Sequence, residues 1–236
     1  MSRPPLLLDW CSYAAAKHAV VNWHYSQGMP AGKLVRIGVW EGDRFTGAIL
    51  FGQGANRHIG TELGLDMLTC AELVRVALRD HEWPVTRMVS IAMRMLKRQS
   101  PGLRAVVSYA DKDQGHHGGI YAGGGWVYVG RVVVGVRKAF RVHGQVMHRR
   151  SCGSRGWRQS LDWLRANVDP SANVVRGLGK HKFYYPLDDA MRRQLAPLAR
   201  PYPKRAGSIG GDAPAIQAGE GGSNPTPALD VAVGEP

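Results

Sequence analysis

The chain has 236 residues, 31 Lys and Arg against 18 Asp and Glu, and a formal charge of +13. That length holds one domain with an appendage, and 44% hydrophobic with 21% charged residues excludes wholesale disorder. The longest apolar runs, such as Arg131-Val-Val-Val-Gly-Val136, are too short to cross a bilayer, and the start lacks the apolar core and cleavage site of a secretory signal, so a soluble cytoplasmic protein is expected.

From the amino end, residues 12–26 read as a helix, with Tyr13, Ala16, Val20 and Trp23 at three- and four-residue spacing and Ser12 able to cap the first turn. Residues 34–40 and 45–51 alternate like strands around the turn residues Glu41-Gly-Asp-Arg44, which predicts an antiparallel hairpin. Residues 71–78 read as a third strand buried on both faces. A helix is expected over 84–99, with Pro84 in its first turn and Val85, Met88, Ile91, Ala92, Met95 and Leu96 on one stripe. A fourth strand is expected over 103–109, a glycine-loosened helix or loop over 114–124, and a fifth strand over 126–136.

The character changes at Arg137. Basic residues interleave with aromatics in Arg137-Lys-Ala-Phe-Arg141, His148-Arg-Arg150, Arg155-Gly-Trp-Arg158 and Lys180-His-Lys-Phe-Tyr-Tyr185, the pattern that neutralises phosphates and stacks on bases or sugars. Short helices are expected near 159–167 and 188–198. Residues 206–236 hold four acids, no Lys or Arg, and no hydrophobic periodicity, which predicts a disordered tail. The residues before that tail are therefore more basic than the whole, and a polyanion, most simply nucleic acid, is the expected partner. Cys11, Cys70 and Cys152 are widely separated and form no Cys-x-x-Cys pair, so reduced, structural thiols are expected.

Helix, hairpin, strand, long helix, strand, short helix, strand resembles the order of the GNAT superfamily of N-acyltransferases, an α/β (α+β) fold with a mixed central sheet flanked by helices. Gly38-Val-Trp-Glu-Gly-Asp-Arg-Phe-Thr-Gly-Ala-Ile-Leu50 resembles its hairpin, and Glu72-Leu-Val-Arg-Val-Ala77 its central strand. Gly119-Ile-Tyr-Ala-Gly-Gly-Gly-Trp-Val-Tyr-Val-Gly130 is similar to its Tyr-bearing helix and following strand. The division implied is a catalytic core over 1–136, a basic and aromatic extension over 137–205 that completes the fold and contacts DNA, and the tail. Coenzyme A-using members carry an Arg/Gln-x-x-Gly-x-Gly/Ala loop whose backbone N–H groups cradle pyrophosphate. Here that place holds Arg79-Asp-His-Glu-Trp-Pro-Val-Thr-Arg87, without glycine and poorly built for acetyl-CoA, which leaves the donor unknown.

A narrower resemblance rests on Asn22-Trp-His-Tyr-Ser26, Pro30-Ala-Gly-Lys33, Glu72-Leu-Val-Arg-Val-Ala77, Tyr109-Ala-Asp111, Gln114-Gly-His-His-Gly-Gly-Ile-Tyr121 and Tyr202-Pro-Lys204. These segments are similar to phage Mom-type proteins. The resemblance implies an enzyme of phage DNA, acting in the host cytoplasm, that adds a carbamoylmethyl group to adenine N6 against restriction; it also implies iron. Two other readings remain: an ordinary N-acyltransferase acting on a small amine, protein or tRNA, and a non-catalytic DNA-binding protein on the same scaffold.

The chemistry needs a proton acceptor for N6, a held donor and a group that stabilises developing charge. Asp111, just past a strand end, is expected as general base or adenine anchor, with an Asx turn or helix cap as the structural alternative. Tyr121 matches the acyltransferase tyrosine that protonates the leaving group, or is a core tyrosine. Arg75 requires an anion, either the donor or Glu72, and with Ser108 these make the expected donor-binding set. His24 and Tyr25 are expected to contact the base or hold iron, and His116-His117 is a second candidate ligand pair. Lys33, Arg137, Lys138, Arg141, Arg149, Arg150, Arg155, Arg158, Lys180 and Lys182 are the expected phosphate contacts.

Overall fold

A computed structural model describes residues 3–53, 58–112, 116–132, 138–147, 152–153, 155–176 and 179–203. Its main sheet has seven strands: β1 (Leu6–Trp10), β2 (Leu34–Glu41), β3 (Arg44–Gly52), β4 (Cys70–Leu78), β5 (Ala105–Asp111), β6 (Val127–Val132) and, far later in the chain, β10 (Lys180–Pro186). Their order is β1-β2-β3-β4-β5-β10-β6, and every neighbouring pair is antiparallel except β4 with β5. The fold is thus mixed α/β, a large and mostly antiparallel sheet with helices on both faces.

Helix α1 (Tyr13–Trp23) begins as expected, with the Ser12 hydroxyl accepting from the Ala15 N–H at 3.1 Å. Its buried side is Ala16, Ala19 and Val20, packed on Ala48, Leu50 and Ala77; these small side chains let helix and sheet approach closely. Tyr13 points outward, 54% exposed, so the expected stripe is rotated. On the opposite face, α2 (Val85–Gln99) buries Met88, Val89, Ala92, Met93 and Leu96 against Ile37, Val39, Ile49, Phe51 and Leu73. Met88, Ala92 and Leu96 are the expected i, i+4 row, with Val85 and Met95 packed beside it as expected, while Val89 and Met93 are buried in place of Ile91. The short α3 (Gly119–Ala122) leads into β6.

Residues 103–104 precede β5 rather than belonging to it, and the strand instead runs on to Asp111. β6 is described to Val132, and residues 133–137 lie outside the described set. β1 carries no alternation strong enough to mark it in the sequence. It forms an edge, pairing Leu6 with Glu41 and Trp10 with Ile37.

The basic stretch contains a second, three-stranded sheet in the order β8-β7-β9: β7 (Lys138–Val142), β8 (Gln145–Met147) and β9 (Asn173–Arg176). His143 (φ +47°) and Gly144 (φ +74°) form the β7–β8 turn, the left-handed pair that matches strand twist. With α4 (Leu161–Asn167) this sheet encloses its own core of Phe140, Val142, Cys152, Leu164 and Ala172. The chain then returns as β10, between β5 and β6. It closes with α5 (Asp189–Leu195), whose Met191 and Leu195 pack under Tyr184. Leu198, expected on that helix's apolar side, is 41% exposed.

Candidate active site at the parting of β4 and β5

β4 and β5 pair over only three positions: Cys70 with Ala105, Ala71 with Val106, and Glu72 with Val107. Beyond Glu72 the strands have other partners or none, and a gap opens at their carboxyl ends, the usual address of a ligand in an open α/β sheet. β4 also bulges here. Leu50 faces Arg75 while the next residue, Phe51, faces Leu73, which leaves Val74 as the extra residue. A bulge re-aims a side chain, and Arg75 thereby shares the face of Leu50 and α1.

Ser108 spans the gap, its hydroxyl donating to the Leu73 carbonyl at 3.1 Å and its oxygen accepting from Tyr121 OH at 2.8 Å. Tyr121 is enclosed by Phe183 and Trp126, at 4.5 and 4.9 Å between ring centroids, and burial pushes its phenol up to about 12. Gly118 makes this possible: at φ +84° it turns the chain into α3 where a Cβ would lie 2.3 Å from Phe183 Cζ.

Arg75 forms no ion pair with Glu72 among the described residues. Nη1 donates to the Val74 carbonyl at 2.7 Å and Nη2 to the Gly28 carbonyl at 3.3 Å, while the buried Nε–H has no partner. Burial lowers the Arg75 pKa, against the fields of Tyr25 and Glu72. It raises that of Glu72, against Lys180 and Arg75. An unanswered guanidinium donor beside a carboxylate held towards protonation is unusual away from a binding site.

The end of α1 supplies the next wall. His24 and Tyr25 stack at 4.3 Å, and Tyr25 meets His116 edge-on at 5.1 Å. Burial, with Arg75 and His116 nearby, depresses the His24 pKa to about 4, so the ring is neutral at ordinary pH. Its Nδ1 accepts from the Ser26 N–H at 3.1 Å, which places the ring proton on Nε2. Desolvation raises the Tyr25 phenol, with Lys180, Asp111 and Arg75 all within its field. Lys180 Nζ lies 3.0 Å from the Asp111 carboxylate. The structure therefore brings His24, Tyr25, Glu72, Arg75, Asp111 and Lys180 together, and Ser108 and Tyr121 adjoin them through the gap.

Sequence reasoning assigned Lys180 to phosphate, because nothing local shows that β10 pairs with β5. Lys182, its neighbour on that face, bonds to Glu62 and stands over the rings of Tyr184 and Tyr109 at 4.9 and 5.9 Å. Tyr184 OH donates to the same Glu62 oxygen at 2.6 Å. Both lysines are thus paired with carboxylates of this chain, Lys182 largely enclosed and Lys180 still 41% exposed. Lys33, Arg141, Arg155 and Arg158 are exposed, Arg155 over the Trp157 ring at 5.5 Å. Lys138 is placed in β7 by its backbone alone, and Arg137, Arg149, Arg150, Gln114 and the tail lie outside the described residues.

Nδ1 of His24 is engaged by Ser26, and the described residues contain no group of three His, Cys, Asp or Glu placed to hold a metal ion together. No helix among them is long and apolar enough to cross a membrane.

The model of the Mom protein family matches residues 5–204. The chain is similar to methylcarbamoylase mom of Escherichia phage Mu, 24% identical over 209 residues and covering 84% of each chain.

Proposed function

The chain belongs to the Mom protein family, and from that premise we propose that it is a DNA-modifying enzyme that converts adenine N6 in duplex DNA to its carbamoylmethyl derivative, shielding phage DNA from restriction. The phage Mu relative is named a methylcarbamoylase, which supports transfer of a small amide-bearing group, while adenine N6 as acceptor and the carbamoylmethyl form of the product rest on the motif resemblance. The reading is carried by one observation: the ionisable side chains singled out in four separate segments meet where β4 and β5 part. A protein that merely bound DNA on this scaffold has no use for a buried, unpartnered Arg75 donor there.

Adenine N6 is a weak nucleophile engaged in pairing, so the base is extruded to reach the gap, at about a few kcal/mol. In this reading Asp111, paired with Lys180, accepts an N6 proton or anchors the adenine edge. The Arg75 Nε–H is available to an oxygen of the donor, beside Glu72. Tyr121 acts through Ser108 or as leaving-group acid, its proton held at the gap by a 2.8 Å bond. Tyr25 and His24, neutral and partly stacked, make the wall that a flipped base would face. The parting strands, the bulge and the long helix after β4 are also what a GNAT-like acyltransferase scaffold would supply. The exposed cations Arg141 of the small sheet, Arg155 and Arg158 of the segment before α4, and Lys33 serve as phosphate contacts that position the duplex.

Nucleoside mass spectrometry of plasmid DNA from cells expressing the chain tests this directly, beside an Asp111→Ala control. An adenosine heavier by one carbamoylmethyl group, absent from the control, is expected. Unmodified DNA after adding lysate of the phage's natural host, as a donor source, to the purified chain would overturn the reading.

A further inference from the structure

The amino end of α2 follows the carboxyl end of β4 in the chain, across the loop of residues 79–84. The start of a long helix attracts anions, because unsatisfied N–H groups and the helix dipole converge there. In this chain the amides that lead into that position, just ahead of the first helical turn, are already taken. Three residues lead into the helix: Glu82, Trp83 and Pro84. The Glu82 N–H donates to both carboxylate oxygens of Glu41, at 2.8 and 3.1 Å, and the Trp83 N–H donates to Oε1 at 2.9 Å. Pro84, the N-cap, has no N–H to offer.

Glu41 is built in. Its side chain is wholly buried, and Arg44 Nη2 reaches Oε2 at 3.1 Å from across the β2–β3 turn. The Trp83 indole seals the outside, donating to the Pro4 carbonyl at 2.7 Å with the guanidinium groups of Arg87 and Arg3 at 5.1 and 5.5 Å from its ring. A phosphate arriving here would meet a buried carboxylate of like charge whose hydrogen bonds are all in use, and would have to displace it. Specificity is often built from such a repulsive element.

We infer that Glu41 occupies, from within the protein, the place at the start of α2 that a phosphate group would take, so that the donor of the transferred group binds with no phosphate there and coenzyme A-type donors are shut out. The residues do not fit a pyrophosphate. What is said of the donor rests on the transferase reading above; the closed cradle stands on its own hydrogen bonds. Glu41 is then a specificity-determining residue, working against the wrong donor rather than for the right one.

Amide NMR on the ¹⁵N-labelled full chain tests this with inorganic pyrophosphate as the probe. In the wild type, the Glu82 and Trp83 signals are expected to stay in place during the titration, while those near the exposed arginines move. Glu41→Ala, once its native spectrum and melting curve are verified, is expected to show saturable shifts at Glu82 and Trp83 and at least tenfold tighter pyrophosphate binding there. Saturable wild-type shifts at those two amides would overturn the inference, and so would a folded Glu41→Ala that gains no binding. If that variant does not fold, the wild-type titration alone decides. DNA modification is assayed separately. Loss of that activity reading with silent amides would retire the proposed function and leave the filled cradle intact.

Discussion

Lys180 and Asp111 face each other directly across two antiparallel strands, 3.0 Å apart at their charged ends. A sheet partner sixty-nine residues away in sequence thus holds the Asp111 carboxylate. If the pair is catalytic, Asp111→Asn should lower modification by roughly 10²- to 10⁴-fold, the usual range for losing a general base. DNA affinity should stay within about threefold in a gel-shift titration. Modification at the wild-type level would remove Asp111 from the mechanism.

Ser108 and Tyr121 differ in what each leaves behind. Ser108→Ala strands a buried phenol with no acceptor and should cost about 1–3 kcal/mol in urea denaturation. Tyr121→Phe leaves Ser108 its bond to Leu73 and should cost less through hydrogen bonding, about 0.5–1.5 kcal/mol. The reverse ranking would mean that Ser108 does not hold the tyrosine.

His24 predicts a sign in the pH profile. Its folded pKa is about 4, below the ordinary 6.5, so from pH 6.5 downward the unfolded chain takes up the proton first. Stability from this group is full above about pH 6.5 and drains away as pH falls towards 4, by at most about 3 kcal/mol. His24→Gln should flatten that slope in melts taken between pH 4 and 7. An unchanged slope would show that the imidazole is as easily protonated as in water.

The lysines and arginines of the basic stretch should separate in salt titrations. Arg141→Gln with Arg158→Gln should weaken DNA binding and make the plot of log affinity against log salt shallower by about 1–2. Lys182→Gln, which breaks the bond to Glu62, should leave that slope alone and lower the melting temperature. A shallower slope for Lys182→Gln would return it to the phosphate contacts.

Gly118→Ala places a methyl group 2.3 Å from Phe183 Cζ on a backbone at φ +84°. It should destabilise by about 1–3 kcal/mol and drop the melting temperature by several degrees. A variant as stable as the wild type would mean that α3 is free to shift.

Local patterns made much of this legible. The Ser12 cap, the β2–β3 turn and the α2 row of Met88, Ala92 and Leu96 are encoded by neighbours in sequence, and the structure has them where spacing placed them. Asp111, Tyr121, Arg75 and His24 were marked by residue type and by resemblance, and they do lie near one another. What stayed hidden was long-range. Nothing within 180–186 announces an interior strand, so Lys180 and Lys182 looked like solvent-facing cations when one joins Asp111 and the other Glu62. Glu41 sat in a turn motif, and its role appears only once Glu82 and Trp83 are folded against it. The small sheet was masked by charge, since its core is built from scattered residues such as Phe140, Cys152 and Leu164.

The place of β10 also bears on how the protein is made. Ribosomes deliver β5 and β6 well before the strand that lies between them, with the whole of β7, β8, α4 and β9 emerging in the interval. During that interval the nascent chain carries two unpaired strand edges flanking an empty slot. A polypeptide cut short anywhere before Lys180 keeps that slot open for good, and its candidate site lacks the ammonium group that holds Asp111. Truncated products of this gene should therefore aggregate rather than persist as partial enzymes, and the intact chain assembles its chemistry only near the end of translation.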